Sequence, residues 1–498
     1  METLNNLLLG FSVALQPDML MFCFIGSLVG TLTGVLPGLG PAAAMAILIP
    51  FAAGLPAMAA IVMLAAIYYG AMYGGSTTSI LLNIPGEAAS VITCIDGHQM
   101  ARQGRAGAAL GIAAISSFIA GTIGLFGLVF FAPFLVDVAL EFGPPEYFGL
   151  LMLGLSVAIS LAGDSFAKGM ASAAFGLLIA AVGIDPQSGI LRYTFGTINL
   201  MGGFDIVVVV IGLFAISEVI INAQASSGSI LTEKIKGLWP GWNDLRSALG
   251  SIGRGSVVGF LLGLIPGVAP PVVTFVSYDL EKRISKTPER FGQGAIEGVA
   301  SPEGANNAAT SSGMIPLFSL GLPTSASLAV LLGAFMVHGL QPGPLMFEQQ
   351  KELIWGVIAS MYIGNCMLLV LNLPLIPLWV RLLKVPYPIL GPMILVICVI
   401  AAYGARSNLF DVWVMLAFGL IGYLMRITGF PTVPLIIAVI LGDKIENALR
   451  QSLTISDGSL GIFIKRPIAA TFLALTVLSV AFALWTRLSA KRMSPSSG

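Results

Sequence analysis

Hydrophobic residues fill most of the chain in long runs, which short polar or Gly/Pro-rich interruptions separate. The runs lie near residues 18–36, 42–53, 57–82, 107–135, 147–162, 166–184, 204–222, 255–278, 308–337, 354–380, 388–403, 409–425, 430–442 and 467–486. About 20 apolar residues span a bilayer as a helix. Several runs are shorter than that, and others can hold a broken pair of helices. The pattern predicts an all-α, polytopic transmembrane protein with about ten to fourteen membrane elements, some of them re-entrant.

Composition agrees with this fold class and excludes several functions. The chain has 498 residues, of which 56% are hydrophobic and 10% charged, and its formal net charge is zero. A soluble domain carries about 25% charged residues. Zero net charge gives no electrostatic basis for a nucleic-acid partner. The two histidines and four scattered cysteines have neither metal-ligand nor disulfide-framework spacing, so we expect no cofactor.

Two interruptions of the hydrophobic runs use nearly the same residues. "GVLPGLGP" (34–41) and "GLIPGVAP" (263–270) align at an offset of 229 residues. A second pair, "YGGSTTSILLNIPGEAAS" (73–90) and "SSGMIPLFSLGLPTSAS" (311–327), aligns at an offset of 238. Two motifs in the same order and at similar offsets predict an internal duplication. The predicted domains are a first transmembrane repeat (1–224), a polar cytoplasmic linker (225–254), and a second repeat with C-terminal helices (255–498).

The positions of the basic residues predict how the two repeats are oriented. Lys and Arg mark cytoplasmic loops. In the first half the first basic residues, Arg102 and Arg105, follow the second motif. In the second half the basic cluster at 282–290 falls between the two motifs. This exchange predicts two repeats of inverted topology.

The repetition of the same Gly/Pro pattern at the interruptions suggests a binding site. Proline and glycine break membrane helices, and the freed backbone groups are tolerated only where protein or a wet cavity satisfies them. The N-termini of half-helices attract carboxylates, and their carbonyl ends can hold sodium. The alternative is simple helix packing through small residues, for which Gly30 and Gly34, and Gly259 and Gly263, have the required spacing.

The candidate site residues come from these breaks and from the hydroxyl- and amide-rich segments beside them. The predicted substrate-binding residues are Pro37, Gly38, Ser76, Thr77, Thr78, Asn83, Pro85, Gly86, Pro266, Gly267, Ser311, Ser312, Pro323, Thr324 and Ser325. The residues predicted to contact substrate or a coupling ion are Glu303, Asn306 and Asn307. The only metal expected is a sodium coupling ion. The spacing of Glu87 and Asp96 from Arg102 favours a solvated loop for both.

The quoted motifs, with the segments 73–110 and 301–335, resemble the TctA large membrane subunit of the tripartite tricarboxylate transporters. The resemblance runs through nearly the whole chain. It implies a multi-pass protein of the bacterial inner membrane that imports carboxylates by secondary transport, driven by sodium or protons. It also implies two partners, a small TctB-type membrane subunit and a periplasmic TctC-type binding protein.

One position departs from the family pattern, since "GLPTSA" has Thr324 where the family usually has glycine. A β-branched side chain there puts the usual substrate in doubt. Two other classes of protein remain as alternatives, an organic-anion channel and an intramembrane enzyme. Against the enzyme, the sequence contains no nucleophile elbow, phosphate loop or His-rich metal motif.

Overall fold

The structure is a computed structural model that describes residues 2–36, 40–161, 165–185, 187–223, 239–382 and 387–493. Pro37 and Gly38, two of the predicted site residues, lie outside these ranges, as do residues 225–238 of the predicted linker. The described chain is almost entirely helical. Its strands are one antiparallel pair, β1 (Gly183–Ile184) and β2 (Leu191–Arg192). The all-α prediction is confirmed.

Most helices follow one another with short connections, and the long connection from α8 to α9 contains β1 and β2. Their bounds are α1 Glu2–Ala14, α2 Pro17–Val35, α3 Pro41–Ala52, α4 Ala57–Leu82, α5 Thr93–Met100, α6 Ala106–Ala139, α7 Pro144–Leu161, α8 Phe166–Ala180, α9 Ile206–Val210, α10 Ser217–Asn222, α11 Trp242–Gly263, α12 Pro270–Ile284, α13 Glu297–Ser312, α14 Met314–Leu320, α15 Ala326–Val337, α16 Pro344–Gln349, α17 Lys351–Asn372, α18 Ile376–Leu382, α19 Tyr387–Arg406, α20 Leu409–Ile427, α21 Thr432–Ile455, α22 Ile462–Lys465 and α23 Pro467–Met493. Single 3₁₀ turns lie at Ala88–Val91, Ile198–Leu200 and Pro288–Arg290, and π-helical segments at Ala101–Arg105 and Ile211–Ile216.

Eight helical segments of the described ranges are long and apolar enough to cross a bilayer. They are Pro17–Val35, Ala57–Leu82, Thr93–Ala139, Pro144–Leu161, Lys351–Asn372, Pro388–Arg406, Leu409–Ile427 and Pro467–Trp485. The chain itself buries 89% of the apolar window of α4 but only 11% of that of α23. Apolar surface left outside on a membrane helix faces lipid. The polytopic prediction is confirmed.

The described chain forms two compact units, and each draws on both halves of the sequence. Unit 1 comprises Met1–Val136, Val207–Leu264 and Pro270–Tyr423. Unit 2 comprises Asp137–Ile206, Ile265–Ala269 and Leu424–Gly498. From Trp242 onward, the predicted linker forms the first turns of α11. The predicted domains are repeats of the sequence, whereas these units are defined by contacts between residues. The division into two repeats therefore stays a prediction.

In unit 1, glycines bring α2 and α4 into backbone contact. A Cβ atom at Gly26, Gly30 or Gly34 would lie within 2.4 Å of a carbonyl oxygen of α4. Gly70 and Gly74 of α4 meet the backbone of α2 at similarly short range. Side-chain carbons never come this close to backbone oxygens, so only glycine allows the two helices to pack here.

The pair α11 and α13 repeats this contact. A Cβ atom at Gly255 would lie 2.3 Å from the carbonyl oxygen of Ser301, and one at Gly259 would lie 2.1 Å from that of Ala305. Gly263 likewise meets the backbone of α13. Each glycine lies 229 residues after its counterpart in α2, and each partner lies 238 residues after its counterpart in α4. Both offsets are those of the sequence motifs.

The helices also break at the motif positions. α2 ends at Val35 and α3 begins at Pro41, and in the second half α11 ends at Gly263 and α12 begins at Pro270. Proline is favoured at the first helical position because its missing N–H costs nothing there. The predicted interruption of the apolar runs by Gly and Pro is therefore confirmed in the described chain.

The second pair of breaks matches in backbone conformation. Asn83 after α4 and Gly321 after α14 are both left-handed, with φ of 58° and 69°. Four residues later, Glu87 and Ser325 cap the next helical segment with φ/ψ of −139°/168° and −141°/167°. These matches support the predicted duplication. The inverted orientation of the two repeats stays a prediction.

The glycine contact gives a stability prediction for α11. We expect Gly259→Ala to lower the free energy of unfolding by about 3 kcal/mol, because the new methyl group meets the backbone of α13. Gly253 of the same helix is the matched control, since a Cβ atom there has no neighbour within 4 Å. We expect Gly253→Ala to be neutral or to stabilise by up to about 1 kcal/mol. Thermal unfolding in detergent measures both, and equal effects of the two substitutions would contradict the packing described here.

Candidate substrate and ion site

Glu303 of α13 is buried inside unit 1. The residue is 1% exposed. Ser76 of α4 donates a hydrogen bond to Oε2 over 2.6 Å, and Thr93 of α5 donates one to Oε1. The hydroxyl of Ser117 on α6 also lies close to the carboxylate. Four helices from both sequence halves therefore meet at one carboxyl group.

Glu87 is a second buried carboxyl group, at the break after α4. It caps the 3₁₀ turn Ala88–Val91, and its Oε2 accepts a hydrogen bond from the Ala89 amide over 2.6 Å. Its Oε1 faces Nδ2 of Asn306 at 3.4 Å. Gly75 leaves the space for this side chain, since a Cβ atom there would lie 2.7 Å from Cγ of Glu87. With 5% exposure, Glu87 is not in a solvated loop, so that expectation was wrong.

Asn306 links Glu87 to α13, the helix that carries Glu303. It lies three residues after Glu303, which places both side chains on the same side of α13. In the described part of the chain, neither Glu87 nor Glu303 forms an ion pair with Lys, Arg or His. A carboxylate removed from water without a cationic partner is strongly disfavoured. Each buried carboxyl group therefore needs a proton or a bound cation.

The second break presents uncharged groups at the equivalent positions. Ser325 caps α15 and accepts a hydrogen bond from the Leu328 amide over 3.3 Å. The Tyr68 hydroxyl lies near Ser325 and Thr310. Thr324 is buried, and its hydroxyl packs against Gly313. The chain therefore keeps a polar lining here but carries no carboxylate.

Thr324 occupies the place that Gly86 has in the first half. A Cβ atom at Gly86 would lie 2.2 Å from the carbonyl oxygen of Gly34 and 2.5 Å from Oγ1 of Thr78, so the first break accepts only glycine. The second break has room for a branched side chain because Gly313 yields the space instead. The departure from the family pattern is therefore accommodated by local packing.

A small cavity adjoins the hydroxyl partners of Glu303. Its volume is about 10 Å³, which is close to the space of one water molecule. Its polar lining residues are Tyr73, Ser76, Thr77, Ser117 and Asn372. Oδ1 of Asn372 is buried and has no hydrogen-bond partner in the described chain.

The other predicted site residues have diverse surroundings. Ser311 accepts a hydrogen bond from Tyr69 over 3.0 Å, and Ser312 packs against Gly263. Asn307 donates to the backbone of Glu303, while its own Oδ1 is buried without a partner in the described residues. Asn83 and Pro85 are exposed at the first break, whereas Pro323 is buried at the second.

Pro266 and Gly267 belong to unit 2. Gly267 has φ of +83°, and a Cβ atom there would lie 2.3 Å from Cα of Ala158 in the same unit. This glycine is therefore required for packing within unit 2. Its predicted role in substrate binding stays a prediction.

Asp96 is a buried carboxylate whose position the sequence analysis predicted wrongly. It was expected in a solvated loop, yet it is 0% exposed. Its Oδ1 accepts hydrogen bonds of 2.8–2.9 Å from the amides of Gly292, Gly294 and Ala295, and its Oδ2 accepts one from Tyr278. The carboxylate thus fixes helix α5 to the loop that precedes α13.

Broken helices around buried polar groups are typical of membrane transport proteins. The chain belongs to the tripartite tricarboxylate transporter TctA family, whose family model matches residues 20–437. Members of this family are transport components, and this chain is the large subunit of such a transporter. No solved structure matches the chain.

Two relatives come from Agrobacterium vitis. The chain is 45% identical over 493 residues to the uncharacterised 52.8 kDa protein in the TAR-I ttuC' 3' region, with 99% of this chain and 98% of the relative covered. It is 44% identical over 234 residues to the uncharacterised protein in the TAR-II ttuC' 3' region, with 47% of this chain and 97% of that relative covered.

The contacts of Asp96 predict its contribution to stability. Asp96→Ala leaves the amides of Gly292, Gly294 and Ala295 and the Tyr278 hydroxyl without their carboxylate acceptor, so we expect a loss of more than about 3 kcal/mol. Tyr278→Phe removes one of these hydrogen bonds and should cost about 1.5 kcal/mol. Thermal unfolding in detergent ranks the two, and an Asp96→Ala protein as stable as Tyr278→Phe would contradict the anchoring role.

Proposed function

We propose that the chain is the membrane subunit of a binding-protein-dependent secondary transporter that imports tricarboxylates or related carboxylates. The import is driven by a sodium or proton gradient across the bacterial inner membrane. The observation that carries this proposal is the pair of buried carboxyl groups, Glu87 and Glu303, which come from the two sequence halves and have no cationic partner in the described chain.

Electrostatics links these carboxyl groups to the cargo. An anionic substrate bound near two buried carboxylates would be repelled strongly, since charges interact more strongly in a protein interior than in water. A proton or a cation on these groups removes the repulsion. Substrate and cation then bind favourably only together, which is the thermodynamic basis of coupled transport.

The second break is the better place for the carboxylates of the substrate. At the first break, the carboxylate of Glu87 already accepts the free amide of Ala89. At the second break, α15 is a helix of 12 residues whose N-terminal amides are capped only by the neutral Ser325. Helix N-termini favour anions. We therefore assign the substrate carboxylates to Pro323, Thr324 and Ser325 and the coupling cation or proton to the carboxyl groups.

The tripartite family implies further partners. The proposed assembly includes a small TctB-type membrane subunit and a periplasmic TctC-type protein that delivers the substrate. The chain has no nucleotide-binding motif, so an ion gradient is the proposed source of energy. An organic-anion channel is the alternative, and it would need a continuous pore instead of a closed site.

The basic segments support the proposed inverted orientation. Gln103, between Arg102 and Arg105, donates a hydrogen bond to the backbone of Gln293 over 2.7 Å. The first basic segment therefore lies beside the loop that follows Lys286. Two adjacent basic loops are consistent with one cytoplasmic face.

Transport in proteoliposomes tests the role of the carboxyl groups. We expect Glu303→Gln and Glu87→Gln each to reduce gradient-driven citrate accumulation at least about tenfold, equivalent to about 1.4 kcal/mol. Glu141→Gln is the control, because Glu141 is exposed at the end of α6. Wild-type accumulation by both buried-site variants would refute the proposal. Counterflow against an internal citrate pool distinguishes a transporter from a channel, since only a transporter exchanges labelled substrate and saturates.

Cysteine labelling tests the orientation. In a cysteine-free background, we expect Arg102→Cys and Lys286→Cys to react with an impermeant maleimide only from the cytoplasmic side. The positive-inside rule predicts this for both positions. Labelling of the two cysteines from opposite sides would contradict the inverted arrangement.

A further inference from the structure

The small cavity beside Glu303 has several hydrogen-bond acceptors in its lining, next to the apolar residues Leu110, Ala113 and Ala114. Ser76 and Ser117 lie between the cavity and Glu303. An ionised carboxylate only accepts hydrogen bonds, so both hydroxyl hydrogens point toward Glu303. The oxygen lone pairs of these serines are then left for the cavity.

Two further lining residues add acceptors. The Tyr73 hydroxyl donates its hydrogen to Oδ1 of Asn365, which leaves its oxygen as an acceptor. The side-chain amide nitrogen of Asn372 donates hydrogen bonds to the carbonyl oxygen of Leu368 and to the hydroxyl of Thr31. Its buried Oδ1 has no partner in the described chain. Buried polar atoms are normally satisfied, so this oxygen indicates a missing donor or cation.

We propose that this cavity is a binding site for one sodium ion. Glu303 supplies the negative charge, and the oxygens of Ser76, Ser117 and Asn372 supply the ligands. Hard cations prefer oxygen ligands of this kind. The space of about 10 Å³ admits one small ion without a hydration shell. The inference rests on the proposed function and names its coupling ion and the residues that hold it.

Glu87 is not an equivalent site. Its two carboxylate oxygens face N–H donors, the Ala89 amide and the Asn306 side chain. N–H groups stabilise a carboxylate but offer no lone pair to a cation. The hydroxyl partners of Glu303 do offer one. The assignment of sodium to Glu303 therefore depends on the chemistry of its partners and not on burial alone.

Sodium-dependent thermal unfolding of the full-length protein in detergent tests the site without substrate. In choline chloride, added NaCl should raise the melting temperature of the wild-type protein in a saturable way, and KCl should not, because a ligand that binds only the folded state stabilises it. Ser117→Ala and Asn372→Ala should each weaken the apparent sodium affinity at least about tenfold. Glu303→Gln should abolish the sodium response.

Ser116→Ala provides the matched control. Ser116 is the sequence neighbour of Ser117, is equally buried, and has no hydrogen-bond partner in the described chain. Its substitution should leave the sodium affinity unchanged. A tenfold loss in Ser116→Ala as well would overturn the assignment, because the effect would then come from general packing of α6.

The outcomes separate this inference from the proposed function. If sodium gives no specific stabilisation and citrate uptake follows a proton gradient, the cavity holds only water and the inference is wrong, while the transporter proposal stands. If sodium stabilises the wild-type protein but no gradient drives uptake, the site stands and the proposed function fails. If Ser117→Ala and Asn372→Ala bind sodium as the wild type does, the site lies elsewhere and the inference is overturned.

Discussion

The close approach of helix backbones through glycine is the constraint on which unit 1 depends. Where α2 meets α4 and α11 meets α13, carbonyl oxygens occupy positions that any larger side chain would fill. Lipid offers no hydrophobic drive between apolar helices, so close packing of this kind holds them together. It also frees the remaining faces of α4 and α13 for polar groups. Glu303 and Ser76 can meet in the interior because the opposite faces of their helices are already tightly packed.

The two helix pairs form similar frames with different chemistry. The backbone turns left-handed at Asn83 and at Gly321, and the capping residues that follow have almost the same dihedral angles. Yet one cap is the carboxylate Glu87 and the other is the hydroxyl Ser325. The two breaks thus present a carboxylate in one half of the sequence and a hydroxyl-capped helix end in the other. The proposed co-transport of an anion with a cation or proton would use this difference.

The sequence predicted much of the fold and part of the site, for identifiable reasons. Prolines and glycines break helices locally, so the breaks and their offsets of 229 and 238 residues were readable from the chain alone. Glu303 was found because a carboxyl beside amides in an apolar stretch is unusual. Glu87 and Asp96 were placed wrongly, since their burial comes from segments of the chain about 200 residues away, which local spacing does not report.

Other residues left no signal in the sequence. A single threonine such as Thr93, a serine such as Ser117 and an asparagine at the end of a membrane helix such as Asn372 resemble ordinary packing residues. Their importance arises only when the fold places them around one carboxylate or one cavity. The hydrogen bonds of the structure identify them, because they show which hydroxyl groups donate to the carboxylate and which oxygens are left as acceptors.

Helix α5 joins two of the features described above. Thr93 contacts Glu303, and Asp96, less than one turn further on, holds the amides of the loop before α13. The helix is only eight residues long. One short segment of the chain therefore holds both the buried carboxyl group of Glu303 and a partly exposed basic loop, so the position of one is tied to that of the other.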